Sequence, residues 1–314
     1  MSLAAGGAIV LAAALDRTFS EPPRRLHPVA WLGSVVHRLD DRLPESRAVG
    51  VAVAVVVPLS FATVAAIVVW FSGRIDPRLS LLVAATVLFV SSSRRMLVDV
   101  ATNVIDLVAT DLASARHELR ALAGRDPSGL SPAQLRSAAV ESAAENLADG
   151  LLAPLFAFAA VAILAAAVGA SIPLVVGGAA GAAAWIKAVN TLDSMLGYRD
   201  RRLGWAAARL DDAIMWVPAR AAALLIAVVG TPRCVRRTLC RAREAASVPS
   251  SPNSGWPMAT LATVLGVRLE KPGAYVLAPD RRLPTAAEAR EGIRIVSRAG
   301  WLGVGTTVML VIAA

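Results

Sequence analysis

The chain has 314 residues, of which 56% are hydrophobic and 18% charged, with a formal net charge of +9. Soluble domains sit nearer half apolar and a quarter charged, so this composition excludes an ordinary soluble enzyme and points to an integral membrane protein. The positive charge is almost entirely arginine, Lys187 and Lys271 being the only lysines; with no recognition module and no aromatic-basic interleaving, nucleic acid is excluded as a partner.

A hydrocarbon core about 30 Å thick takes roughly 20 apolar residues of helix. Met1 to Leu15 is apolar but lacks the basic start of a secretory signal and runs into DRTFSEPPRRLHP rather than a cleavage site, so it reads as a retained membrane or interfacial segment. The stretch that follows sets Asp16, Arg17, Glu21 and His27 around a proline-rich turn. Val49 to Ser72 is long enough to span, and Leu79 to Ser93 is a shorter candidate. From Asp99 to Ala123 apolar residues recur at spacings of three and four, predicting one amphipathic helix ended by Gly124. Ser131, Pro132 and Gln134 form a capping box that starts a helix running to about Ala148, with Gly150 as its stop. Leu151 to Ile186 carries no charge and is long enough for two crossings, bent at Gly169 to Pro173. Ala213 to Gly230, interrupted by Pro218 and Arg220, and a short apolar tail from Gly300 to Ala314 complete the series.

These elements predict an all-α polytopic membrane protein, a single domain over 1–314 with about four to six apolar segments and amphipathic helices at the cytoplasmic face. Its polar subregions are 94–150, 187–212 and 231–298. Thr231 to Arg298 carries twelve Lys and Arg against five Asp and Glu, which places it in the cytoplasm, as do Arg24, Arg25, Arg38, Arg42 and Arg47 for the loop before Val49. A complete crossing by Ala213 to Gly230 would put the basic stretch outside, so that segment is expected to be re-entrant or interfacial, or the count of spans before it is wrong. Cys234 and Cys240 have no standard zinc spacing, and a cytoplasmic position argues against a disulfide.

Within ESAAENLADG, Glu141, Glu145 and Asp149 are spaced by four. Four residues of α-helix turn about 400°, so each acid drifts only about 40° from the last and all three are predicted on one face. Like charges so placed repel by a few tenths of a kcal/mol per pair. A bound cation or nearby arginines would offset this; a solvated acidic face would show the same spacing. Asn146 and the Asp149–Gly150 step favour a site.

The stretch from Lys187 to Arg220 crowds charges beside apolar spans, where they mark function by default. Asp193, Asp211 and Asp212 suit a hard cation beside phosphate, and Lys187, Arg199, Arg202 and Arg209 suit phosphate or carboxylate. Ser251, Asn253 and Ser254 lie in a loop whose backbone N–H groups can cradle an anion before a helix from Pro257, or form a plain polar turn. No GxxxxGK[ST], HExxH or complete GxGxxG is present.

Five stretches, HPVAWLG at 27–33, AVESAAENLADGLLAPLF at 139–156, KAVNTLDSMLGYRD at 187–200, ARLDDAIMWVPAR at 208–220 and SPNSGWPMA at 251–259, together resemble the adenosylcobinamide-phosphate synthase family of cobalamin biosynthesis, CobD or CbiB. The resemblance implies joining the free carboxylate of adenosylcobyric acid to the amine of (R)-1-amino-2-propanol O-phosphate, with ATP as energy source and Mg²⁺ on its phosphates. Amide formation needs that carboxylate activated, most simply as an acyl phosphate. Carried onto this sequence, Glu141, Glu145, Asp193 and His27 are the catalytic candidates, His27 as a proton shuttle. Glu145, Asp149, Asp193, Asp211 and Asp212 are the metal candidates. Lys187, Asn190, Arg199, Arg209 and Arg220, with Asn146, Ser251, Asn253 and Ser254, are the substrate-binding candidates. GRDP at 124–127 and LEKPG at 269–273 depart from the family's usual GRDT and diglycine, which bears on loop shape. The expected setting is the cytoplasmic membrane, in contact with the bilayer and as a homo-oligomer or beside other cobalamin-pathway enzymes. The rival functions are a corrinoid transporter, which would carry mid-span ionisable residues and internal repeats, and a membrane anchor for pathway enzymes. Leu151 to Ile186 has no ionisable residue and no repeat is evident.

Overall fold

A computed structural model describes residues 1–19, 21–92, 94–122, 126–198 and 201–314. Helix α1 (Ser2–Phe19) leads through a 3₁₀ turn at Arg24–Leu26 to α2 (Pro28–Arg42), followed by α3 (Arg47–Ile75), α4 (Pro77–Ser91), α5 (Arg94–Thr110) and α6 (Leu112–Leu122). Next come α7 (Pro132–Asn146), a π-helical segment at Leu147–Leu152, α8 (Ala153–Ala167), α9 (Ile172–Leu196) and α10 (Trp205–Ile214). The chain closes with α11 (Trp216–Gly230), α12 (Val235–Ala246), α13 (Gly255–Leu265), the strands β1 (Leu269–Lys271) and β2 (Tyr275–Leu277), and α14 (Ala286–Ala313). Among the described residues six helices are long and apolar enough to cross a membrane, or seven if α10 and α11 form one broken span. The protein is therefore an all-α, multi-pass membrane protein.

Local chemistry sets most boundaries as read. Proline stands in the first turn of α2, α4, α7 and α9, where its missing N–H would be unpaired anyway. The capping box of α7 is formed, Ser131 Oγ accepting from the Gln134 N–H and Gln134 Oε1 from the Ser131 N–H. The turn between α8 and α9 uses Gly169 at φ +73°, a left-handed position that glycine takes without steric cost.

Three expectations are corrected. The amphipathic stretch from Asp99 to Ala123 is two helices, not one. Asp111 breaks it, its Oδ1 accepting from the N–H groups of Ala113 and Ser114 and so capping α6. The expected stop at Gly124 lies outside the described residues. Gly150 does not end the helix begun at Ser131: it is buried within the π segment, and the helical path continues from Pro132 to Ala167. The tail from Gly300 is the second half of α14. A small antiparallel hairpin, β1 with β2 in the register Leu269↔Leu277, stands in the all-α chain. Its turn, Lys271-Pro272-Gly273-Ala274, has Gly273 at φ +76° and the Ala274 N–H donating to Lys271 O, the geometry a Pro-Gly pair favours.

The contacts group into two compact units. The first comprises Met1–Ser93, Gly150–Ile214 and Val304–Ala314; the second comprises Arg94–Asp149 and Met215–Gly303. In the first, α9 is central and packs on α1, α2, α3, α4, α8 and α10. Gly177 and Gly181 let its backbone approach α3: a Cβ there would lie 3.2 Å from Ala66 O and 3.0 Å from Ala62 O. Small residues four apart drive this kind of close membrane packing. Helix α3 also exposes Val51, Val55, Leu59, Val64 and Phe71, apolar surface suited to lipid. In the second unit, α7 packs on α5, α6, α13 and β1. Arg94, buried, stacks 4.2 Å over the Trp301 ring and donates to Ser297 Oγ, which ties α5 to α14.

Candidate functional site

In the first unit the chemistry gathers at the C-terminal end of α9, after its uncharged first turns. Lys187, Asn190 and Asp193 follow at intervals of three. Each step turns about 300°, so the three fan over about 120° of the helix surface. Lys187 is an electrostatic neighbour of both Glu21 and His27, on the segment joining α1 to α2, while Asp193 is a neighbour of Asp212 on α10. Thr191 and Ser194 hydroxyls turn back onto the helix, donating to Lys187 O and Asn190 O. On α10, Asp212 pairs with exposed Arg209 at 3.8 Å, and Asp211 is half-buried beside it.

His27 is 8% exposed and caps α2, its Nδ1 accepting from the Val29 N–H at 3.2 Å. That bond fixes the neutral tautomer with hydrogen on Nε2, so the ring offers a donor to the site rather than a base. Nε2 lies 3.7 Å from Glu21 Oε2 and makes no hydrogen bond among the described residues. Burial pushes the His27 imidazole below its ordinary value, and the Lys187 cation adds to this. Burial pushes the Glu21 carboxyl up; Lys187 opposes the shift and Asp16, itself buried, reinforces it.

The segment after α9 is clamped against the same end. Arg201 binds Asp40 bidentately, at 2.6 and 3.0 Å, and donates from Nε to Glu45 at 2.8 Å, while Glu45 also accepts the Leu203 N–H at 3.1 Å. Gly204 abuts Leu196 O and Gly50 abuts Leu203 O too closely for any side chain. Arg202 is exposed, and Arg199 lies outside the described residues.

The second unit treats its acids unequally. Glu141 is fully buried: Oε1 accepts from Ser137 Oγ at 2.7 Å and Oε2 from the Tyr275 hydroxyl at 2.7 Å. Ser137 Oγ in turn accepts the Glu270 N–H, so the Glu141 carboxyl ties the hairpin onto α7. Glu145 and Asn146 are half-buried at the end of α7, where Asn146 donates to Ser142 O. Asp149 falls in the π segment, whose i→i+5 turn holds more residues than an α turn and spoils the simple four-residue stripe. Among the described residues no three His, Cys, Asp or Glu side chains come together to hold a metal ion.

Arg220 lies between the Trp216 and Trp256 rings, 4.7 and 5.2 Å from their centroids, and donates to Asn253 Oδ1 and Pro252 O. Asn253 is 3% exposed, and Ser251 Oγ accepts the N–H groups of Asn253 and Ser254. The backbone donors that an anion would use thus bond within the loop.

The sequence model of the CobD/Cbib protein family matches residues 9–299. The chain belongs to the CobD/CbiB family. It is similar to the probable cobalamin biosynthesis protein CobD of Methanothrix thermoacetophila, 34% identical over 97% of this chain and 96% of that protein. It is likewise similar to the cobalamin biosynthesis protein CobD of Klebsiella pneumoniae, 38% identical over 83% of this chain and 81% of that protein. With the CobD of Rhodobacter capsulatus the identity is 35%, over 87% and 85%. No solved structure matches significantly.

In this CobD/CbiB chain the fold groups the sequence candidates into two sets. Lys187, Asn190, Asp193, Arg209, Asp211, Asp212 and His27 share the first unit; Glu141, Glu145, Asn146, Asp149, Arg220, Ser251, Asn253 and Ser254 belong to the second. Sequence reasoning set Glu21 beside His27 on the proline turn but assigned it no role. Its signal is the pairing with His27 and Lys187, which only the fold creates.

Proposed function

We propose that this cobalamin biosynthesis protein is an adenosylcobinamide-phosphate synthase, an ATP-dependent ligase that joins adenosylcobyric acid to (R)-1-amino-2-propanol O-phosphate. The observation that supports it is the fan on α9: a cation with a buried imidazole donor and a carboxylate on one side, a pair of carboxylates on the other. Ligation brings together an anionic nucleotide, a carboxylate to be activated and an amine to be deprotonated, and these groups match those needs.

The carboxylate of the corrinoid attacks the terminal phosphoryl group of ATP, giving an acyl phosphate and ADP. The amine nitrogen then forms the C–N bond as the acyl C–O bond breaks, and phosphate leaves with the proton the nitrogen gives up. Lys187 holds an anionic oxygen and steadies the charge that develops there. Asn190, between the two sides, orients a substrate by hydrogen bonding. Asp193 and Asp212 form a donor set suited to Mg²⁺, which is usually held by one or two carboxylates alongside waters and substrate phosphates. The bound ion supplies charge neutralisation on the nucleotide. In the second unit, Glu145 and Asp149 flank the start of a π turn, a feature that recurs at functional sites, and are proposed as a separate set of candidates there. The active face is assigned to the cytoplasm, on Arg24, Arg25, Arg38, Arg42 and Arg47, which precede Val49 in the same unit as the α9 fan.

The test mixes detergent-purified protein with adenosylcobyric acid, aminopropanol phosphate and Mg-ATP and follows corrinoid mass and ADP together. Product matched by ADP release is expected. Folded protein that binds corrinoid but releases neither would overturn the ligase function. Asp193→Ala is expected to lose at least about 100-fold in turnover while keeping its unfolding temperature; near-normal turnover removes Asp193 from the site.

A further inference from the structure

Glu21 is not among the acids that the sequence or the family resemblance assigns to the chemistry, yet His27, Lys187 and Asp16 all lie close to it. Three independent constraints converge on it. His27 has its Nδ1 committed to the Val29 N–H, and its buried Nε2–H, with no hydrogen-bond partner among the described residues, lies near Glu21 Oε2. The 3.7 Å separation is too long for a hydrogen bond and of the kind that closes when a substrate arrives. Lys187 approaches from α9 and favours the ionised carboxylate. Asp16, from the end of α1, opposes ionisation and makes the carboxylate a stronger proton acceptor. A base oriented by one donor and balanced between a cation and an anion is the arrangement general-base catalysis calls for.

We propose that Glu21 is the base that receives the ammonium proton of the amine substrate, with His27 as the positioning residue that holds its carboxylate. The inference rests on the ligase function proposed above. The step balances: R–NH₃⁺ and Glu21–COO⁻ give R–NH₂ and Glu21–COOH, and the freed lone pair attacks the acyl phosphate. The remaining proton leaves with inorganic phosphate as HPO₄²⁻. The Glu21 side chain is only 27% exposed, which suits this exchange, because proton transfer from the ammonium to Glu21 removes two charges from a partly desolvated place.

Glu21→Gln keeps the size and removes the base. In the full-length protein it is expected to lower kcat/KM for aminopropanol phosphate at pH 7 by about 100-fold or more, with activity recovering as pH rises and solution supplies free amine. Glu21→Asp, which keeps the base on a shorter arm, should recover part of the loss. Turnover of Glu21→Gln within about threefold of wild type, or a loss that does not change between pH 7 and 10, overturns the proposal. Binding of aminopropanol phosphate alone, read as a shift in unfolding temperature, separates the two claims because it needs no turnover. A shift seen in wild type and lost in Glu21→Gln supports the amine site even if ATP-coupled product never forms, in which case the ligase function fails and the site stands. An equal shift in both proteins removes Glu21 from the amine site whatever the assay shows.

Discussion

Arg201 holds two carboxylates at once, and the consequence is a pH dependence with a definite sign. Its hydrogen bonds keep Asp40 and Glu45 below their ordinary values of 3.8 and 4.5. Depressed carboxylates contribute fully above those values and lose their contribution as pH falls through the lower folded ones. Both are solvent-accessible, so the effect is local rather than global. The Leu203 amide, donating to Glu45, is expected to lose hydrogen-exchange protection only as pH falls below the ordinary carboxylate value of 4.5, and Arg201→Ala to lose it already at pH 7. Glu141 is the contrasting residue. Tyr275→Phe removes an O–H donor to Glu141 and is expected to cost about 1–3 kcal/mol in detergent unfolding, with little change in substrate affinity. An unchanged stability would deny the hairpin tie. The spacing of Glu141 with Glu145 and Asp149 was legible in the sequence; that Glu141 turns inward was not, because its partner Tyr275 lies far along the chain.

The helix pair α3 and α9 is held by backbone proximity, and this was hidden among small apolar residues. Gly181→Ala would set a Cβ 3.0 Å from Ala62 O and 3.1 Å from Ala66 Cβ, and should lower stability by about 1–3 kcal/mol in thermal unfolding. Gly7→Ala meets nothing within 4 Å and serves as the neutral comparison. A Gly181→Ala protein as stable as Gly7→Ala would show that the helices tolerate separation. Helix starts were readable because caps are local: Ser131 with Gln134 at α7, and proline in the first turns of α2, α4 and α9. Interruptions were harder. Asp111 keeps the apolar rhythm on both sides while capping a new helix, and Gly150, which looks like a stop, is carried through by the buried π segment.

For the whole molecule, the charge asymmetry makes a topological prediction. Cys234 and Cys240 are both exposed in the basic region after α11. If that region faces the cytoplasm, an impermeant thiol reagent should leave both unmodified in intact cells and label them after permeabilisation. Labelling in intact cells would reverse the orientation. The broken pair α10 and α11 is where the parity turns, since it counts as one crossing or none. The chain's two units are interleaved in sequence, so a polar stretch that reads as one region, such as Lys187 to Arg220, contributes to both: Lys187 to Asp212 to the first, Arg220 to the second.

By itself the sequence determined the membrane class, the main spans, the capped helix starts and the family. Each of these rests on local periodicity, on composition or on contiguous motifs, which act over a few turns of helix. Only the tertiary structure decided which charged groups share an environment. It brings Lys187, far along the chain, to the Glu21–His27 turn, commits Arg220 to Trp256 and Asn253, and buries Glu141 under Tyr275. The physical reason is that burial and charge proximity depend on packing partners far along the chain, and no spacing within a motif encodes them.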